Sequence, residues 1–160
     1  MKAYESGSAA YFATPPVNLI YAFHASLALI TGASGKAGDL SSDADAENAL
    51  QTRFASHRSA SNLIKSTASS LGLSLVPLSS SIAANGMSAF YYPTSFSAPT
   101  VLGEFGKRGV VVAGGLHKDV KDLYFRVGHM GVSVVGRPGE EEGVDVKRVT
   151  EVLKEVFTTN

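Results

Sequence analysis

The stretch Leu123-Tyr124-Phe125-Arg126-Val127-Gly128-His129-Met130-Gly131-Val132-Ser133 sets the strongest constraint on what this chain folds into. Its first half alternates apolar and polar residues, the two-residue period of a half-buried β-strand. The alternation turns Leu123, Phe125 and Val127 toward a core and Tyr124, Arg126 and Gly128 toward the opposite side. One arginine therefore stands near the middle of a weakly charged strand, followed by glycines that let another group come close. A guanidinium held on a strand is a receptor for a planar carboxylate or phosphate, because its donors form a fixed fork. The same spacing also describes an arginine on the wet face of an edge strand, which is the commoner reading of such a pattern.

At 160 residues the chain has the length of one domain with a sizeable core. Its 14 basic and 14 acidic residues cancel, which gives no ground for a general affinity for nucleic acid or anionic membrane. With no cysteine, disulfide and thiolate chemistry are excluded. No apolar run reaches the roughly 18–20 residues that a transmembrane helix needs. Residues 1–7 lack the apolar stretch of a signal peptide, and Thr158-Thr159-Asn160 is not a Ser-Lys-Leu type of peroxisomal address. The expectation is a soluble intracellular protein, whether of cytoplasm, mitochondrion or peroxisome.

Residues 8–16 read as an extended lead, because Pro15 and Pro16 fix φ and hold the residues before them extended. Thr14 is placed as an N-cap and Pro15 at the first position of a helix running to about Thr31. That helix is apolar over much of its circumference (Leu19, Ile20, Phe23, Leu27, Leu29, Ile30) and is expected to be heavily buried. Residues 32–45 hold almost nothing large and read as a flexible insert. The glycines there do not follow the spacing of a phosphate loop, and they follow a helix where a strand is required. A second helix is expected from about Ala46 to Leu71, with Leu50, Phe54, His57, Ile64 and Ala68 on its apolar stripe and Gly72 just past its end. His24 and the pair His57-Arg58 read as helix-surface residues, since no second ligand or acidic partner stands at a useful spacing.

Strands are expected at Leu73–Leu78 and Met87–Tyr92, a short helix over Ser97–Arg108, and a brief buried strand at Val110–Ala113. The arginine strand, a turn from Gly136 to Gly143 and a terminal helix follow. That helix carries Val146, Val149, Leu153, Val156 and Phe157 on one face and Lys147, Glu151 and Lys154 on the other. The order gives an α+β fold, a small and mostly antiparallel sheet packed with helices.

Two blocks of residues match something specific. Tyr11-Phe12-Ala13-Thr14-Pro15-Pro16-Val17 with the helix ending Leu27-Ala28-Leu29-Ile30 resembles the segment that opens the C-terminal part of alanine–glyoxylate (serine–pyruvate) aminotransferases. The second block, Gly109 to His117 and Tyr124 to Val132, resembles the strand pair near that family's C-terminus. His57-Arg58 and the terminal helix fall in the same order. The resemblance implies a class V, fold type I pyridoxal-phosphate enzyme that works as a homodimer on small amino acids and 2-oxo acids. It further implies the C-terminal small domain of such an enzyme over residues 17–160, preceded by a long linking helix, with 1–16 leading in from a large domain upstream.

The family's residue roles carry over at three positions. Arg126 matches the arginine that binds the substrate α-carboxylate. Tyr11 and Thr14 match residues that reach the phosphate of the partner subunit's pyridoxal phosphate, and a hydroxyl at a helix N-terminus suits an anion. No position matches the Schiff-base lysine or the carboxylate on the pyridinium nitrogen, which this chemistry requires and which lie upstream in the family. Catalytic residues and metal ligands are therefore expected to be absent from this chain, and the chain alone is expected to be inactive. A non-catalytic dimerisation or partner-binding fragment, and a related class V enzyme, remain as alternatives.

Overall fold

The computed structural model describes residues 5–7, 14–31, 43–137 and 139–158. It divides into two compact units, Met1–Gln51 and Thr52–Asn160.

The described part of the first unit is led by α1, Val17–Thr31. Pro16 supplies its entry: the Pro16 carbonyl accepts from Leu19 N at 3.0 Å and Ile20 N at 3.1 Å. Pro16 therefore holds the capping position, and Thr14 stands two residues ahead of it rather than at the N-cap. No residue of α1 is buried, which corrects the expectation of a heavily buried helix. Its large side chains, Leu29 at 76% among them, face outward. The expected insert 32–45 lies outside the described residues except for its last three, and these already belong to the next helix.

That helix, α2, spans Asp43–Ser70. It ends as the glycine signal predicts. Gly72 takes φ +76°, its N–H bonds to the Ser69 carbonyl at 3.0 Å, and Leu73 N reaches back to the Ala68 carbonyl at 3.0 Å. This pair of bonds satisfies carbonyls that the last turn would otherwise leave open. Within the second unit α2 buries Ala60, Ile64 and Ala68, spaced four residues apart on one face. Phe54, expected on the same stripe, is about half exposed.

The second unit is built on a three-stranded antiparallel sheet in the order β1-β3-β2: β1 Met87–Tyr91, β2 Ala113–Gly114 and β3 Tyr124–Gly128. Helix α3, Ala98–Lys107, starts at Ser97, whose hydroxyl accepts from Thr100 N. It ends at Gly109 (φ +76°) with the same paired bonds as α2, Gly109 N to Gly106 O and Val110 N to Phe105 O. A short helix α4, Val132–Val135, and the terminal helix α5, Val144–Thr158, complete the unit. Phe125, fully buried on β3, is the hub of the core. It meets Phe90, Tyr92, Phe105 and Phe157 at ring-centroid distances of 5.7, 5.4, 5.9 and 5.9 Å. From α5, Val146, Val152, Leu153 and Val156 close the core from the side of their shared stripe.

Three strand expectations are corrected. Leu73–Leu78 makes only a single bridge, Leu75 to Phe90. In the Val110–Ala113 run only Ala113 pairs, because Val111 points outward at 94% exposure and Gly114 takes the second ladder position. Leu123, expected to face the core, sits in the turn Lys121–Leu123 and is 54% exposed.

Candidate functional site

Arg126 occupies the middle of the central strand, half-buried. Its register partners are Ala89 on β1 and Ala113 on β2. Directly opposed residues share a face of the sheet, so a long guanidinium is flanked on both sides by methyl groups only. The other face of β3, carried by Phe125 and Val127, is the core. The parity read from the sequence therefore holds for Phe125, Arg126 and Val127.

The guanidinium is held at one corner. Arg126 Nε donates to the Gly114 carbonyl at 2.8 Å. Among the described residues neither Nη atom has a hydrogen-bonding or ionic partner, so that edge of the fork is available to a planar anion. The turn that carries Gly114 is itself tied down. Leu116 N and His117 N donate to the Tyr124 hydroxyl at 2.9 and 3.4 Å, and Gly115 N donates to the Lys121 carbonyl at 3.1 Å. Those two amides hold the Tyr124 phenol below its ordinary range, most strongly the amide of Leu116, with the charge of Arg126 adding to the effect.

After Gly128 the chain turns away through Gly131 (φ +62°) into α4. Two histidines fix this turn. Gly131 N donates to His57 Nε2 at 3.0 Å, while His57 Nδ1 lies 2.7 Å from the Arg53 carbonyl. A carbonyl only accepts, so Nδ1 carries the proton and Nε2 offers its lone pair. His57 is thus a clamp from α2 onto the arginine strand's exit rather than a plain surface residue. Its sequence signal was its order relative to Gly131, which periodicity on α2 does not show.

His129, in the same turn, is 1% exposed. Its Nε2 lies 2.9 Å from the Ser88 hydroxyl, and its N–H donates to the Gly86 carbonyl at 2.9 Å. Nδ1 is buried without a partner. Burial pushes this imidazole below its usual range, and the charge of Lys65 acts in the same direction. The backbone of His129 and Asn85 opposes the shift without closing a bond to Nδ1. Lys65, partly buried, donates to the carbonyls of Ala83 and Ala84 at 3.3 and 2.9 Å.

Of the other residues expected at a site, Thr14 is exposed ahead of α1, and Tyr11 lies outside the described residues. Lys65 is committed to two backbone carbonyls. What the geometry offers is a guanidinium at Arg126 whose Nη edge has no partner among the described residues. Among the described residues no cluster of three or more His, Asp or Glu could hold a metal ion, and no helix is long and apolar enough to cross a membrane.

No protein-family model matches the chain. Alanine–glyoxylate aminotransferase 1 of Saccharomyces cerevisiae is 36% identical over 140 residues, which cover 86% of this chain and 31% of that protein. Among solved structures, an aspartate aminotransferase of subgroup IV from Thermus thermophilus superimposes with a TM-score of 0.67 at 25% identity, over 98% of this chain and 36% of its own. An alanine–glyoxylate aminotransferase from Nostoc sp. shares the fold, with a TM-score of 0.65 at 22% identity over 92% of this chain and 33% of its own. This α+β chain is a homologue of part of alanine–glyoxylate aminotransferase, and it spans about a third of the length of the relatives it matches.

Proposed function

We propose that this chain is the C-terminal portion of a pyridoxal-phosphate-dependent aminotransferase and contributes the clamp for the substrate carboxylate. The reaction of the whole enzyme is transfer of an amino group from alanine or serine to glyoxylate or pyruvate. In this reading residues 17–160 make the small domain, and 1–16 lead into it. The observation that carries the reading is the state of Arg126: one corner fixed on Gly114, two Nη atoms without a partner among the described residues, and alanines on either side. Every α-amino acid and 2-oxo acid presents the planar carboxylate that such an edge receives in a bidentate pair.

The division of labour follows from what is present. Pyridoxal phosphate, when bound, supplies the electron sink for the amino group's transfer. Arg126 orients the acid by its carboxylate, and orientation alone removes a large part of such a barrier. The cofactor phosphate, held by the partner subunit of a homodimer, is assigned in this reading to Tyr11 and Thr14. Thr14 serves by its hydroxyl, since Pro15 and Pro16 contribute no N–H.

The test is Arg126→Lys in the cofactor-loaded enzyme, titrated with amino donor and, separately, with pyridoxal phosphate. Lysine keeps the charge and loses the fork. A charge-assisted hydrogen bond contributes about 1.5–3 kcal/mol, so kcat/KM should fall by about one to two orders of magnitude. The loss should be shared by every amino donor, with cofactor affinity nearly unchanged. Weakened cofactor binding with unaltered donor kinetics would assign the arginine to the other anion.

A further inference from the structure

We propose that Tyr124 is a positioning residue for Arg126: its hydroxyl holds the turn 114–117 so that the Gly114 carbonyl engages Arg126 Nε and the Nη edge stays open to a ligand carboxylate. The inference rests on the carboxylate role proposed for Arg126 and adds what sets that arginine's direction.

Four observations form one chain of contacts. The Arg126 side chain has a single hydrogen bond among the described residues, Nε to Gly114 O at 2.8 Å, so the place of that carbonyl decides where the guanidinium plane lies. Two and three residues after Gly114, the amides of Leu116 and His117 both point at one atom, the Tyr124 oxygen. Tyr124 stands two residues before Arg126 on β3, hence on the same face, and its ring is buried against the turn. Gly115 admits the ring: a Cβ there would come within 2.6 Å of Tyr124 Cε1 and 2.5 Å of the Lys121 carbonyl. Any side chain at 115 must therefore displace either the ring or the turn.

The arrangement also explains how the arginine gains specificity. A guanidinium has five donors, and an arginine free to swing could offer any two of them. With Nε committed to Gly114, the remaining pair that lies in one line is Nη1 and Nη2. An end-on pair fits one planar carboxylate. The two amides on the phenol oxygen favour its acceptor role, in keeping with the lowered proton affinity of Tyr124.

The experiment is a double-mutant cycle of Tyr124→Phe and Arg126→Lys in the cofactor-loaded enzyme, together with amide-type exchange of the Arg126 Nε–H in isotope-labelled protein. Phenylalanine keeps the ring and removes the acceptor. Loss of one net hydrogen bond should speed Nε–H exchange by about three- to tenfold and raise KM for amino donors by a similar factor. The rise in KM should exceed any fall in kcat. In the Arg126→Lys background the same change should alter KM by less than about twofold, because the group it positions is gone. Gly115→Ala, which pushes on the ring instead, should speed Nε–H exchange as well. An Nε–H unmoved by Tyr124→Phe, or equal KM effects in both backgrounds, would overturn the positioning role while leaving the carboxylate reading intact. Donor kinetics unmoved by Arg126→Lys would overturn that reading, and with it the link between Tyr124 and substrate.

Discussion

Helices α1 and α5 have the same length, 15 residues each, and opposite outcomes. Helix α1 is apolar nearly all round and buries nothing. Helix α5 is rich in Lys, Arg, Asp and Glu, yet buries Val146, Thr150, Val152, Leu153 and Val156. The difference teaches that pattern, not apolar content, decides where a helix lies within one chain. A stripe at three- and four-residue spacing fits the groove beside a sheet and leaves its charges in water. A helix apolar over most of its surface needs cover on most sides, and among the described residues none of α1 is buried.

The largest effect that separates the two regions belongs to the aromatic hub. Phe125 is fully buried among four rings, so Phe125→Ala should cost about 3–5 kcal/mol of unfolding free energy. Leu29→Ala on α1 removes a comparable apolar side chain from solvent and should stay within about 0.5 kcal/mol. Denaturant titration of both variants makes the comparison. Equal losses would mean that α1 is covered after all.

Next comes the sheet's site side. Gly115→Ala places a Cβ 2.5 Å from the Lys121 carbonyl, and relief of that overlap should cost about 1–3 kcal/mol. Gly114→Ala should be the milder of the pair, since the nearest atom to its Cβ is Leu102 Cδ1 at 3.9 Å. Thermal unfolding of the two variants side by side checks the order, and a reversal would show that the turn yields freely around residue 115.

Much of this fold was legible in the sequence, and the misses have physical reasons. The glycine stops at Gly72 and Gly109, the stripe of α5 and the parity of Phe125, Arg126 and Val127 depend on local chemistry that a sequence displays directly. The first helix was misjudged because apolarity states a need for burial without stating who meets it. Leu123 and Val111 were misjudged because neither belongs to a strand: the turn Lys121–Leu123 consumes the first, and the ladder starts only at Ala113. Arg126 could be singled out as a fork on a strand, whereas its partner Gly114 and the brace at Tyr124 could not. Those contacts span 8 and 12 residues along the chain and are made by backbone groups, which every residue carries. His57 was in view for the wrong reason, since its partner is an amide of residue 131, 74 positions away.

A smaller effect concerns protons in the same unit. His129 is buried and its imidazole is held below the ordinary histidine range by loss of solvent. With the folded value depressed, the unfolded chain binds the proton more readily between the two values. Stability should therefore be complete above about pH 6.5 and decline as pH falls toward the folded value, by at most about 1.4 kcal/mol per pH unit from this one group. His129→Gln should flatten that slope while lowering stability at neutral pH, because the Ser88 contact is rebuilt imperfectly. An unchanged acid slope would place the titrating group elsewhere.

The smallest effect on stability should come from the most apolar element. Replacing Leu19 and Leu29 together by glutamine removes hydrocarbon that is largely exposed, so unfolding free energy should move by less than about 0.5 kcal/mol. Association should respond instead. Contiguous exposed apolar surface of this kind marks a contact with another molecule or another part of a larger protein. Sedimentation at tens of micromolar is the measurement, with the parent chain expected to self-associate and the double variant to shift toward monomer. Glutamine suits the test because it is a good helix former, so α1 itself should persist and circular dichroism should barely change. A parent chain that sediments as a clean monomer would remove the contrast between α1 and α5, since an apolar helix would then be tolerated in water without cover.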